Sequence, residues 1–146
     1  MLAILLAGAM SGSPMLPPPW QPAELTSADE YARYTRAESD GTQSIVVASQ
    51  RACECQPADA VRMLTDALNK VEGVKVQVDT TTMCGQSAQH LIATGIARPD
   101  MPERRNVDTF LFRQGKSMYI FTYTFTYAAP MPDVEQALTA FCQSGS

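Results

Sequence analysis

The stretch from Val107 to Tyr127 constrains this chain more than any other part of it. Val107–Arg113 and Ser117–Tyr127 are rich in aromatic and β-branched residues. Gln114-Gly115-Lys116 lies between them, with a glycine for the positive φ of a tight turn. The pattern is that of a β-hairpin. Side chains alternate along a strand, so Tyr119, Phe121, Tyr123, Phe125 and Tyr127 share one face of its second strand. Met118, Ile120, Thr122, Thr124 and Thr126 share the other. The aromatic row has two uses. It can be the core beneath covering helices, or part of it can line a groove as a ligand surface for a lipid, glycan or protein partner. Tyrosine hydroxyls need partners when buried, which argues that the row's ends approach the surface. The threonine face suits a solvated sheet surface that could also dock a neighbour.

Other elements follow from local signals. Ser27-Ala28-Asp29-Glu30 reads as a capping box and predicts a short helix through about Arg36. Ser44–Cys53, centred on Ile45, Val46 and Val47, predicts a strand. Pro57 suits the first turn of a helix whose apolar stripe is Val61, Leu64, Leu68 and Val71, stopped by Gly73. Val74, Val76 and Val78 alternate with Lys75, Gln77 and Asp79, as in a half-buried strand. Another strand is expected over Ser87–Ile96, separated from the last near Cys84-Gly85. Arg98–Asn106, with two prolines and five charged residues, reads as an exposed loop. Asp133 opens a final helix with Val134, Leu138, Phe141 and Cys142 inside. The expected order is α-β-α-β-β-β-β-α. Its economical packing is an α+β two-layer sandwich, an antiparallel sheet of about 4–5 strands with helices packed on one face.

The 146 residues suit one domain. We assign it to 27–143, after an apolar leader over 1–9 and a Pro-rich linker over 10–26, with a frayed tail over 144–146. Ala7-Gly8-Ala9 fits a signal-peptidase site, so the expectation is a periplasmic or secreted protein. The apolar run is too short for a permanent membrane span, and no cysteine follows it to carry a lipid. Trp20 stands among the linker's prolines, where it either packs back on the domain or waits for a partner. A net charge of −4 gives no basic footprint for nucleic acid.

Cys53, Cys55, Cys84 and Cys142 make an even count, which in an exported chain of this size favours disulfides. A Cys53–Cys55 bond closes a very tight ring. The expectation is therefore that Cys53 and Cys55 pair with Cys84 and Cys142, in one order or the other, each bond worth roughly 3–4 kcal/mol.

The segment from Gly85 through Ala88, the long loop, the hairpin Phe112-Arg113-Gln114-Gly115-Lys116-Ser117-Met118-Tyr119 and the closing helix resemble the PsbP-like superfamily, over about the last two thirds of the chain. That group includes PsbP and exported proteins of the DcrB type. The resemblance implies an exported binding or accessory domain rather than an enzyme, with an unknown ligand or protein partner. It carries over no functional residue. The four cysteines and the missing lipid-attachment cysteine depart from the group's exported bacterial members.

Chemistry has few candidates. Cys53-Glu54-Cys55 places two sulfurs at i and i+2, able to exchange disulfides or, with Met83, Cys84 and His90, to hold copper or zinc. No spacing matches a structural zinc motif, so no metal site is assigned. His90 is the only candidate base, with Ser87 and Cys84 upstream, but nothing around them resembles a nucleophile elbow. No catalytic residue and no cofactor are assigned.

Overall fold

The structure, a computed structural model, describes residues 16–39, 41–98, 101–126 and 134–142. The hairpin expected from the alternation is present and lies inside a larger sheet. Its strands are β6 (Met101–Gln114) and β7 (Ser117–Phe125), joined at Gly115, whose φ is 64°. Before them run β1 (Gln21–Pro22), β2 (Glu30–Ala37), β3 (Gln43–Ala52), helix α1 (Pro57–Asn69), β4 (Lys75–Met83) and β5 (Gln86–Arg98). Helix α2 (Val134–Thr139) follows. All seven strands form one antiparallel sheet in the order β1-β2-β3-β7-β6-β5-β4. The chain leaves the sheet after β3, crosses through α1 to the far edge and returns as a four-stranded meander that ends beside β3.

This corrects the expected fold class. The described residues are mostly β, with seven strands rather than 4–5 and two short helices that do not share a face. Alternation along β6 shows the division. Phe110 and Phe112 point into a core with Val134, Leu138 and Phe141 at and after α2, while Leu111 points the other way, to Val61 of α1. Each face is therefore covered over a different part of its width.

Two expected non-strand segments became strands. Glu30 does reach back as a capping-box acid would, but it accepts from Thr26 N at 3.0 Å and Thr26 Oγ1 at 2.8 Å, and no helix follows. Instead Ala32 and Tyr34 are buried against β3 while Arg33 and Thr35 face outward, a two-residue period that burial on the sheet rewards. Arg33's hydrogen bonds above all, with Thr26 behind them, outweigh the burial penalty on Glu30 and hold its pKa at about 2. Met101–Asn106, expected in a loop, extends β6, and Arg105 and Asn106 are buried. The extension requires a bulge in β5 at Gly95 (φ 82°), where an added Cβ would stand 2.6 Å from Gly73 O. A side chain there has no room.

The part of the Pro-rich segment that is described is not a free linker. Leu16 and Trp20 are buried in the larger core, and Gln21–Pro22 forms the edge strand β1. Trp20 packs edge-on to Tyr123 at 5.7 Å, with the Arg36 guanidinium 4.4 Å over its ring. The leader over 1–9 and the tail over 144–146 lie outside the described residues.

Cysteine pairing also differs from expectation. Cys84 joins Cys142, and Cys53 joins Cys55. Strand order explains this. Cys53 follows β3 and Cys84 lies in the β4–β5 turn, so β7 and β6 stand between β3 and the nearer strand of that turn, a gap of roughly 15 Å at about 4.8 Å per strand spacing. Disulfide geometry requires Cα atoms within about 7 Å. In the turn, Cys84 and Gly85 both have positive φ, as a two-residue hairpin needs. Cys84 and Cys142 pack against the larger core, so their bond fixes the end of the chain to the sheet.

The two bonds have unequal weight. In the chain-entropy model, closing 58 residues of separation stabilises by about 4 kcal/mol and closing 2 by about 1.5 kcal/mol. Urea unfolding of the Cys84→Ser/Cys142→Ser and Cys53→Ser/Cys55→Ser double variants should show that ordering, read from the single Trp20. Equal losses would show that chain entropy does not govern either bond.

Candidate functional site

The aromatic row is core. Tyr119, Phe121, Tyr123 and Phe125 are all buried to within 1%. Tyr127, the fifth expected member, lies outside the described residues. They are covered rather than open to a ligand: Phe121 meets Phe141 edge-on at 6.1 Å, and Trp20 lies edge-on to Tyr123. The expected partner for a buried tyrosine is present, since Arg36 Nη2 donates to Tyr123 Oη at 2.8 Å. Arg36 Nε also donates to Glu38 Oε2, which accepts from Ser44 Oγ at 2.6 Å. That closes one end of the core with a paired polar group.

The opposite face is different. There α1 covers β4, β5 and β6 through Val61 and Leu68 against Leu91, Ala93 and Leu111. Over β2, β3 and β7, no described element covers it. The strand register sets out two rows across this region: Thr35, Ile45, Thr124 and Val107, then Arg33, Val47, Thr122 and Thr109. All but Thr109 are half-exposed. The rows run into a shallow depression lined by Ser49, Arg51, Met118 and Ile120, with Ser27 and Asp29 at its rim. The threonine face read from the sequence is this surface, extended by Ile45 and Val47 of β3.

His90 gathers charge that the sequence did not reveal. Its ring stacks on Phe110 at 4.1 Å, with Nδ1 3.3 Å from Asp79 Oδ1 and Nε2 3.6 Å from Asp108 Oδ2. The second distance is too long for a hydrogen bond, and Nε2 and Asp108 Oδ1 are buried without one. Burial opposes a charged ring here. Asp108 first, then Asp79 and Glu135, outweigh it and raise the His90 pKa. Asp79 and Asp108 flank His90 because β4 and β6 pair with β5 on either side. The polar positions Lys75, Gln77 and Asp79 were the one available signal. With carboxylates on both sides of the ring, the cluster is a charge-paired group.

The metal arrangement imagined from sequence is not assembled. Met83 is in the core, Cys84 is bonded to Cys142, and no group of three metal-ligating side chains occurs among the described residues. Cys53 and Cys55 sit together at the end of β3, where Arg113 Nη1 donates to Cys53 O at 2.7 Å and to Cys55 O at 2.8 Å. No described helix is long and apolar enough to cross a membrane.

The architecture these elements define is a seven-stranded antiparallel sheet with a helix on each face, and solved structures share it. PA94, a Pseudomonas aeruginosa protein of unknown function, matches with a TM-score of 0.53 at 20% identity, over 77% of this chain and 76% of its own. LpqN of Mycobacterium tuberculosis, involved in cell envelope biogenesis, matches with a TM-score of 0.51 at 14% identity, over 90% and 79%. At such identities the likeness is one of fold. No family model and no curated protein matches the chain.

His90 is the chain's single histidine, so its NMR titration is unambiguous in untagged protein. Its folded pKa is raised above the ordinary 6.5. The stabilisation from its charged form is thus complete below 6.5 and lost as pH rises through the folded value. Asp108→Asn should bring the titration midpoint down and flatten stability over that window. An unchanged midpoint would remove Asp108 as the cause.

Proposed function

We propose that this chain is an exported accessory domain that binds a protein partner through the uncovered half of its sheet. One observation carries the reading. The face toward α2 is closed by aromatic side chains, while the rows through Thr122, Thr124, Ile45 and Val47 stay half-exposed beside a shallow depression. Mixed threonine and aliphatic side chains on a rigid sheet bury apolar area on docking, and the hydroxyls supply hydrogen bonds at the rim. Arg33 and Arg51 border this surface, each already holding an acid, Glu30 and Asp29 respectively.

Export is supported by the sulfur chemistry: all four cysteines are paired, which fits an oxidising compartment. LpqN's part in the cell envelope agrees with it. Membership of the PsbP-like superfamily, read from the hairpin and closing helix, belongs to the same proposal, and its implied role as an exported accessory protein is consistent with a sheet surface rather than a catalytic pocket.

A photo-cross-linking residue placed at Thr122 or Val47 in the native host should give a discrete adduct. The same residue at Asn69, on α1, should not. Thr122→Arg should abolish the adduct formed from Val47 while shifting stability by no more than about 0.5 kcal/mol, as for ordinary surface substitutions. Adducts of equal yield from Asn69, or none from either sheet position, would overturn the docking face. Four alkylatable thiols in protein drawn from its host would overturn export.

A further inference from the structure

We propose that Cys53 and Cys55 form a thiol–disulfide exchange site that oxidises dithiols, an activity separate from docking through the sheet. The pair closes only two residues of separation, so it constrains little of the chain, whereas Cys84–Cys142 spans 58 and ties α2 to the core. It also lies outside the hydrophobic core, on the segment between β3 and α1. Both cysteines are partly solvent-exposed and Glu54 between them is exposed. Cys84 and Cys142 are partly exposed too, but they pack against the core, which leaves fewer approaches to their sulfurs. An accessible disulfide is the one an incoming thiolate can reach.

Its surroundings favour the reduced form that exchange must generate. Arg113, on β6 across the hairpin, holds the carbonyls of both cysteines with one guanidinium nitrogen. Lys116 lines the same surface depression as Cys53, Glu54 and Arg113, and its carbonyl accepts from Cys53 N at 3.3 Å. Helix α1 begins two residues after Cys55, with its positive end toward the loop. Glu54 is the opposing charge, and it is solvated. Neighbouring cations lower a thiol's pKa and so stabilise a departing thiolate. Arg113 is a positioning residue here: it holds the loop through the two cysteine carbonyls and supplies charge beside the sulfurs' loop.

The chemistry balances within one exchange. A substrate thiolate attacks one of the two sulfurs, the Cys53–Cys55 bond breaks, and its electron pair leaves on the other sulfur as a thiolate. A second substrate thiolate then attacks the substrate sulfur of the mixed disulfide. The substrate gains a disulfide; its two electrons and two protons reside on Cys53 and Cys55. A low-molecular-weight disulfide returns the pair to its oxidised form by the reverse exchange. The substrate class is a polypeptide or small molecule with two neighbouring thiols.

The test uses the full oxidised chain, reduced glutathione, and a synthetic peptide carrying two cysteines, with acid quenching, alkylation and mass spectrometry. Cys53–Cys55 should exchange with glutathione at least roughly tenfold faster than Cys84–Cys142, and the peptide should be oxidised mole for mole. The Cys53→Ser/Cys55→Ser variant, with its circular dichroism unchanged, should leave the peptide reduced. In the reduced wild type the more acidic thiol should titrate below about 8.5, and Arg113→Gln should raise that midpoint. Equal exchange rates at the two bonds, or peptide oxidation that survives in the double serine variant, would overturn the proposal. A thiol midpoint that Arg113→Gln leaves in place would remove Arg113 from it.

Discussion

The contact between α2 and the aromatic face of the sheet is the constraint on which the remaining architecture rests. A six-residue helix has no stability of its own, because nucleation alone outweighs what so few hydrogen bonds return. It forms because Val134, Leu138 and Phe141 fill the hollow over Phe121, Tyr119 and Tyr34, and because the adjoining Cys142 is bonded to Cys84 on the β4–β5 turn. Tyr31 Oη adds a hydrogen bond to Phe141 O at 2.9 Å, from the opposite side of the sheet's midline. Without that cover, four large aromatic side chains would face water. The sheet's width follows from the same requirement, since β2 and the Trp20 segment complete the wall that α2 does not reach.

Much of this was legible in the chain, and the rest was not for definable reasons. Period-two alternation found β3, β4, β5 and the β6–β7 hairpin, and three- and four-residue steps found both helices, because these signals depend on a residue's own neighbours. Strand β2 was misread because the Ser27–Glu30 signature is local while the burial of Ala32 and Tyr34 against β3 is not. The β6 extension was hidden by Pro102 and the charges around it, yet Arg105 is buried. No periodicity says which side of a sheet a helix will take. The pairing of cysteines required the strand order, in which β3 lies beside β7 rather than β4. For the same reason the threonine face was recognised along β7, but its continuation into Ile45 and Val47 was not, and Asp79, Asp108 and Arg113 could not be assigned to their neighbours.

The two faces divide the labour of the molecule. One is used up in making a core and closes its polar end through Arg36, Tyr123, Glu38 and Ser44. The other carries α1 at one end and leaves the middle of the sheet half-exposed, a region that strand pairing holds rigid. A partner docked there would order little backbone that is not already ordered, which would leave most of the interaction energy for affinity.

The spacing of the sulfurs also orders the covalent history of each new molecule. Cys55 emerges two residues behind Cys53, before either distant cysteine has been synthesised, so those two can join while the chain is still lengthening. Once they have, Cys84 has a single sulfur left to find, at the far end of the polypeptide. Of three conceivable linkages only one then remains open, the bond between Cys84 and Cys142.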